Sequence, residues 1–138
     1  MKKKRLFIKI CFILVFVFGG FIWYNVPCSI TNIAPSEVSE IEILDGNTGK
    51  SISITNAIDI EHIINNINMV SLKKEKISLL NTGYSYRIKV YKVNRDVYKE
   101  FIINSNNTIR KDPFFYRDST NSIDYNYIQK LFKKIPNK

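Results

Sequence analysis

Apolar residues fall along this chain in three rhythms. From Leu6 to Val26 they are nearly continuous (LFIKICFILVFVFGGFIWYNV), with no charge from Ile10 to Tyr24. A run of about 20 residues, with Lys9 free to snorkel, matches the hydrocarbon thickness of a bilayer. Trp23 and Tyr24 close the run where an interfacial aromatic pair belongs. The second rhythm is alternation, the mark of a half-buried strand. Ile41 and Ile43 alternate with Glu40 and Glu42, and Ile52 and Ile54 with serines. Gly46-Asn47-Thr48-Gly49 between them predicts a hairpin. Tyr84, Tyr86, Ile88 and Val90 alternate with Ser85, Arg87, Lys89 and Tyr91 over Tyr84–Val93, the clearest strand. Val97, Phe101 and Ile103 are expected on one face of the next. A charged strand over Ser71–Leu80 and short ones at Thr108–Arg110 and Phe114–Tyr116 complete the set. Pro113 suggests an edge or a break before the last.

The third rhythm has a period near 3.6. Ala57, Ile60, Ile63, Ile64 and Ile67 make one face of a helix that Asn56 caps, with Asp59 in the capping-box position and an end near Met69. Tyr125, Ile128, Leu131, Phe132 and Ile135 make a second apolar face. Asp124 is its expected N-cap, Ile123 and Ile128 are placed as a hydrophobic staple, and Pro136 stops it. The order β-β-α-β-β-β-(β)-α with short turns predicts an α+β domain: an antiparallel sheet of four to six strands with two helices on one face, preceded by one N-terminal transmembrane helix. The expected organisation is a basic start at 1–5, a membrane-spanning signal-anchor at 6–26, a polar tether at 27–36 and one domain at 37–138.

Charge sets the topology more than the partner. The chain carries 21 basic and 12 acidic residues, a net charge of +9. Lys2, Lys3, Lys4, Arg5 and Lys9 belong to the anchor, so 16 basic residues face 12 acidic ones beyond it, or +4. That surplus does not point to nucleic acid. The abundance of Ile, Asn, Lys, Tyr and Phe is also what a low-GC genome produces in any protein. The MKKKR start, with no further Lys or Arg before Lys50, keeps the N-terminus cytoplasmic and puts the domain outside. Two rival fates of the run lead to the same compartment. A cleaved signal wants small residues at the cut, and Trp-Tyr-Asn-Val-Pro-Cys lacks a good Ala-x-Ala equivalent. A lipoprotein would be modified at Cys28, but Asn25 and Pro27 stand where its box wants an aliphatic and a small residue. Cys28 is kept as a lipidation candidate. Cys11 and Cys28 are too far apart along the run to pair, and the domain has no cysteine for a disulfide framework.

The basic start and membrane run, the I-E-I-x-D-G-x-T-G-K hairpin, G-Y-x-Y-x-I-x-V-Y and the closing I-D-Y-x-Y-I resemble small envelope-attached proteins of low-GC Gram-positive bacteria. The resemblance covers Glu37 to Leu131. It implies compartment and fold and carries over no active site.

Candidate chemistry is sparse. His62, the single histidine, falls off the isoleucine stripe and is expected at the surface without a nucleophile or metal partner. Asp45-Gly-Asn-Thr-Gly49 departs from a calcium loop at its later positions and reads as a turn. Glu40 and Glu42 read as exposed strand carboxylates facing Arg87 or Lys89. The sequon at Asn106-Asn107-Thr108 reads as chance. The densest basic zone is Lys73, Lys74 and Lys76 with Arg87 and Lys89, interleaved with Tyr91 and other tyrosines. Anionic lipid headgroups, wall polymers or an envelope protein are the partners that zone suggests outside a membrane. No catalytic set, cofactor or metal is expected. The function expected is a membrane-anchored, non-enzymatic binding or interaction module of a bacterial envelope. The alternatives are an accessory subunit of a membrane complex, or an enzyme whose site is assembled from scattered residues.

Overall fold

The computed structural model describes residues 2–134. Helix α1 covers Lys2–Asn25. Its stretch Lys4–Asn25 contains an 18-residue window with a mean hydropathy of 2.5 and none of it buried, so it is long and apolar enough to cross a membrane. The rest is α+β. Strands β1 (Val38–Asp45) and β2 (Ser51–Ile54) form the expected hairpin. Helix α2 (Ala57–Met69) follows, then β3 (Leu72–Ile77), β4 (Tyr86–Lys92), β5 (Val97–Ser105), β6 (Thr108–Lys111), β7 (Phe114–Asp118) and helix α3 (Tyr125–Lys133). The strands make one seven-stranded sheet in the order β2-β1-β4-β5-β6-β7-β3, antiparallel throughout.

Alternation decides which side of each strand is dry. Ile41, Ile43, Ile88, Val90, Phe101 and Ile103 point to one face and join Ile60, Ile64, Ile128 and Leu131 of the helices in a single core. Both helices therefore cover the same face, each residue there contributing about 1.5–3 kcal/mol of burial. Both N-caps form as the sequence suggests, but Asp59 closes no capping box, its carboxylate accepting instead from the Tyr127 hydroxyl. Asn56 accepts from the amides of Ile58 (2.8 Å) and Asp59 (3.4 Å), and Asp124 accepts from Tyr127 N (3.0 Å). Ile123 and Ile128 are both buried. The helix residue Ile135 and the stop at Pro136 lie outside the described residues.

Three expectations need correction, besides that for Tyr84, which precedes β4 in the loop 78–85 and does not share the face of Tyr86, Ile88 and Val90. Val97 does not share a face with Phe101 and Ile103. A bulge pairs Tyr91 with Val97 directly after Val90 with Lys99, which turns Val97 outward. Of the two outcomes expected at Pro113, the break is found and the edge is not: Pro113 sits in the turn between β6 and β7, and β7 is paired on both sides, leaving β2 and β3 as the edges.

The third correction concerns 27–36, expected to be a tether. Cys28 and Leu72 exchange both backbone hydrogen bonds (2.8 and 3.0 Å), which adds one rung to edge strand β3. Ile30, Thr31 and Ile33 are buried. Asn68 holds this segment from α2, accepting from the Thr31 hydroxyl (2.8 Å) and donating to Ile33 O (2.9 Å), while Lys99 Nζ donates to Ile30 O (2.7 Å). Two isoleucines among polar neighbours look like a linker in one dimension, yet they fill the core beneath the end of α2. A short 3-10 turn at Pro35–Glu37 then leads into β1.

Candidate functional site

The basic zone read from sequence is two separate places. Lys73, Lys74 and Lys76 lie on β3, whereas Arg87, Lys89 and Tyr91 lie on β4. Three strands intervene, about 19 Å of sheet at the usual strand spacing. A linear sequence brings Lys76 and Arg87 close, but the loop between them spans nearly the whole half-sheet.

The β4 group emerges together on the outer face, as the alternation requires, and meets carboxylates there. Arg87 and Lys89 both approach Glu100 of β5 (3.7 and 3.9 Å), and Lys89 stands opposite Glu42 in register. Tyr91 donates to Glu42 Oε2 (3.0 Å), and Glu40 accepts from Ser53. Desolvation, with that hydrogen bond and the surrounding glutamates, raises the Tyr91 phenol above its ordinary value. The patch is thus a mixed-charge surface and not an anion-attracting one.

On β3 each lysine has a different surrounding. Lys73 is exposed opposite Arg117. Lys74 Nζ donates to Trp23 O (3.1 Å) and lies 4.0 Å from the Trp23 ring centre. Lys76 sits over the Phe115 ring. Glu75 accepts from Arg117 (2.6 Å), and its carbonyl accepts from the Tyr24 hydroxyl (2.7 Å). Trp23 and Tyr24 both make edge contacts with Phe114. This end of the sheet is where α1 enters the domain.

The remaining sequence candidates are structural in their contacts. His62 Nε2 is 2.9 Å from Asp124 Oδ2, and its ring stacks on Tyr127 at 3.8 Å between centres. Tyr127 in turn donates to Asp59, and this bond, followed by desolvation and the charges of Asp59 and Asp124, pushes its phenol up to about 12. Together they join α2 to the N-terminus of α3. Burial alone would raise Asp45, but bonds from Asn47 N (2.8 Å) and the Thr48 hydroxyl (2.9 Å) outweigh it and leave the carboxyl lowered. That carboxylate is therefore committed to its own turn. Cys28 is half-buried, with its backbone in the bridge to Leu72.

Sequence reasoning missed one concavity of the surface. An open cleft of about 570 Å³ lies on the outer face between the β1–β2 turn and the loop 78–85. Asn47, Asn81 and Asn104 offer amides, Thr82 and Ser85 hydroxyls, and Tyr84 and Phe115 rings. Arg110, buried on the outer face, props the loop by donating from Nη1 to Asn81 O (2.6 Å) and Gly83 O (3.2 Å). Gly46 is packed so closely that a Cβ there would fall 2.3 Å from Tyr84 O and 2.6 Å from its ring. Gly46 N also donates to Ser85 O (2.7 Å). Arg87 lies over the Tyr84 ring, 4.6 Å from its centre. The ring is thus positioned by a glycine at its edge and a guanidinium over one face. The only trace of this in the sequence is the pair of turn motifs, Gly46-Asn47 and Asn81-Thr82-Gly83, which nothing local says will meet.

Among the described residues no group of three or more His, Cys, Asp or Glu side chains is arranged to hold a metal ion. No protein-family model, curated protein or solved structure matches this chain.

Proposed function

We propose that the chain is a single-pass membrane protein of a bacterial envelope, with its N-terminus cytoplasmic. Its outer domain is a binding module that receives a neutral, hydroxyl- and amide-bearing segment of wall polymer in the cleft. The observation that carries this is the lining itself: three side-chain amides, two hydroxyls and two aromatic rings around one open space. Amides and hydroxyls both donate and accept, as sugar hydroxyls and acetamido groups require, and aromatic rings take the C–H face of a pyranose. Retention of the helix is supported by the contacts of Trp23 and Tyr24 with β3 and β7, which a cleaved chain would lose. Binding to anionic headgroups through Arg87 and Lys89 is the weaker reading, because Glu100 and Glu42 already face them.

The test is a titration of the full chain in nanodiscs with soluble, neutral wall-glycan fragments, followed by calorimetry. Asn81→Ala and Tyr84→Ala should each weaken binding about tenfold, in line with losing a buried hydrogen bond or a stacking face. Arg87→Ala/Lys89→Ala should leave it unchanged, and salt should have little effect. Loss of binding in the arginine–lysine variant, with steep salt dependence, would replace the cleft by the charged surface.

A further inference from the structure

The antiparallel order sorts the connections of the domain to two ends. β3 ends at Ile77, where it pairs with Phe114 at the start of β7. At the same end β4 closes and β5 opens, so the turn Val93–Asp96 lies there, and β2 ends there before α2 begins. Beyond Val26 the exposed large apolar side chains among the described residues are Ile58, Met69, Ile77, Leu79, Leu80, Val93 and Val97. All but Met69 belong to this end. The core does not need them, and a soluble surface has no use for such a concentration.

The anchor points the same way. Cys28 pairs antiparallel with Leu72, so the chain traced back from Cys28 runs alongside β3 in the direction in which β3 ends. Tyr24 reaches Glu75 O, and Trp23 meets Lys74 and Phe114, the partner of Ile77. Helix α1 therefore departs toward the end that carries Ile77, Leu79 and Leu80. Leu80 is wholly exposed and held at φ 72, a conformation that costs a leucine roughly 1 kcal/mol. Its loop is nonetheless fixed on both sides. Ser78 N donates to Pro113 O (2.8 Å), the Ser78 hydroxyl to Asp112 (2.5 Å), and Arg110 grips Asn81 O.

We infer that this end of the domain rests in the outer leaflet of the bilayer that α1 crosses, with Ile77, Leu79 and Leu80 inserted beside the helix and Val93 and Val97 farther along. The inference rests on the membrane-spanning reading above. Apolar side chains supply the attraction, since the cations here (Lys76, Lys92, Arg95, Lys111) exceed the acids Glu37, Asp96 and Asp112 by a single charge. The second foothold fixes the posture of the domain, and it sets the Gly46 and Asn104 wall of the cleft, at the far ends of β1 and β5, away from the lipid.

Nitroxides placed singly in the full chain, in a Cys11→Ala/Cys28→Ala background and in nanodiscs of zwitterionic lipid, read this directly. The sites are Phe16→Cys in the helix, Leu80→Cys and Val93→Cys at the apolar end, and Asn106→Cys in the opposite turn. The ratio of oxygen to nickel-chelate accessibility should be several-fold higher at 16, 80 and 93 than at 106. Because a nitroxide is itself apolar, Leu79→Asp/Leu80→Asp is added, and it should lower the ratio at 93 several-fold. Lipid exposure at 16 with water exposure at 80 and 93 would overturn the second foothold and leave the span intact. Water exposure at 16 would overturn the span and the inference with it.

Discussion

The two ends of one sheet are built from different chemistry. Where β3 ends, the exposed groups include Ile77, Leu79, Leu80, Val93 and Val97 among charged neighbours. Where β1 and β5 end, they include Asn47, Thr48, Lys50 and Asn106, with Met69 the one large apolar side chain among the described residues. Both ends are turns, and turns are usually polar because their backbone is wet. The polar end obeys that rule. Asp118 there is buried and accepts four bonds, from the amides and hydroxyls of Thr120 and Ser122 (2.6–3.0 Å). The apolar end breaks it, and it is the end from which α1 leaves. The difference teaches that strand direction, not sequence neighbourhood, collects a surface: Leu80 and Val93 are united by the parity of the strands between them.

The sharpest way to break this comparison is to remove what holds α1 against β3. Deleting residues before Cys28 should leave a folded domain, whereas starting at Glu37 should cost about 5 kcal/mol or more. That start strips out Ile30 and Ile33 at about 1.5–3 kcal/mol each, with the bonds from Asn68 and Lys99. This approaches the whole stability of a domain this size. Denaturant melts of the two fragments check it, and equal midpoints would restore the segment to a tether.

Next in size is Ile64→Ala or Phe101→Ala, each expected to cost about 2–5 kcal/mol without touching either end. Asp118→Asn comes third, at about 2 kcal/mol. Burial opposes ionisation of Asp118, but the amide and hydroxyl donors outweigh it and hold the carboxyl at about 2 against 3.8 when unfolded. A depressed carboxyl stabilises the fold fully above the unfolded value, and the contribution is lost as pH falls from about 3.8 through 2. Acid melts of the variant should lack that loss, and an unchanged profile would show that Asp118 is not the titrating group.

Of similar size is Gly46→Ala, which forces the Tyr84 carbonyl and ring away for about 1–3 kcal/mol and should distort the cleft while leaving the lipid-facing end as it is. The smallest effect has two opposing parts. Leu80→Gly relieves the positive φ but loosens the unfolded chain, so stability should change by less than about 1 kcal/mol in either direction. A larger loss would mean that Leu80 packs against something in the fold, contrary to its exposure.

The sequence by itself determined the elements and their faces. Period-2 and period-3.6 patterns are local properties, so Ile41, Ile88, Phe101, Ile60 and Leu131 were legible as core, Asn56 and Asp124 as caps, and Leu6–Val26 as a run able to cross a bilayer. Only the tertiary structure decided adjacency. It separated Lys73, Lys74 and Lys76 from Arg87 and Lys89 by sending β3 to the far edge, and it neutralised the second group with Glu100, a residue no local rhythm ties to it. It drew Ile30 and Ile33 into the core, where two apolar residues in a polar stretch gave no periodicity to read. It also brought Gly46 against Tyr84, and with that contact made the cleft. Pairing partners are chosen by the fit of whole surfaces across long loops, and that free energy is written in no single segment of the chain.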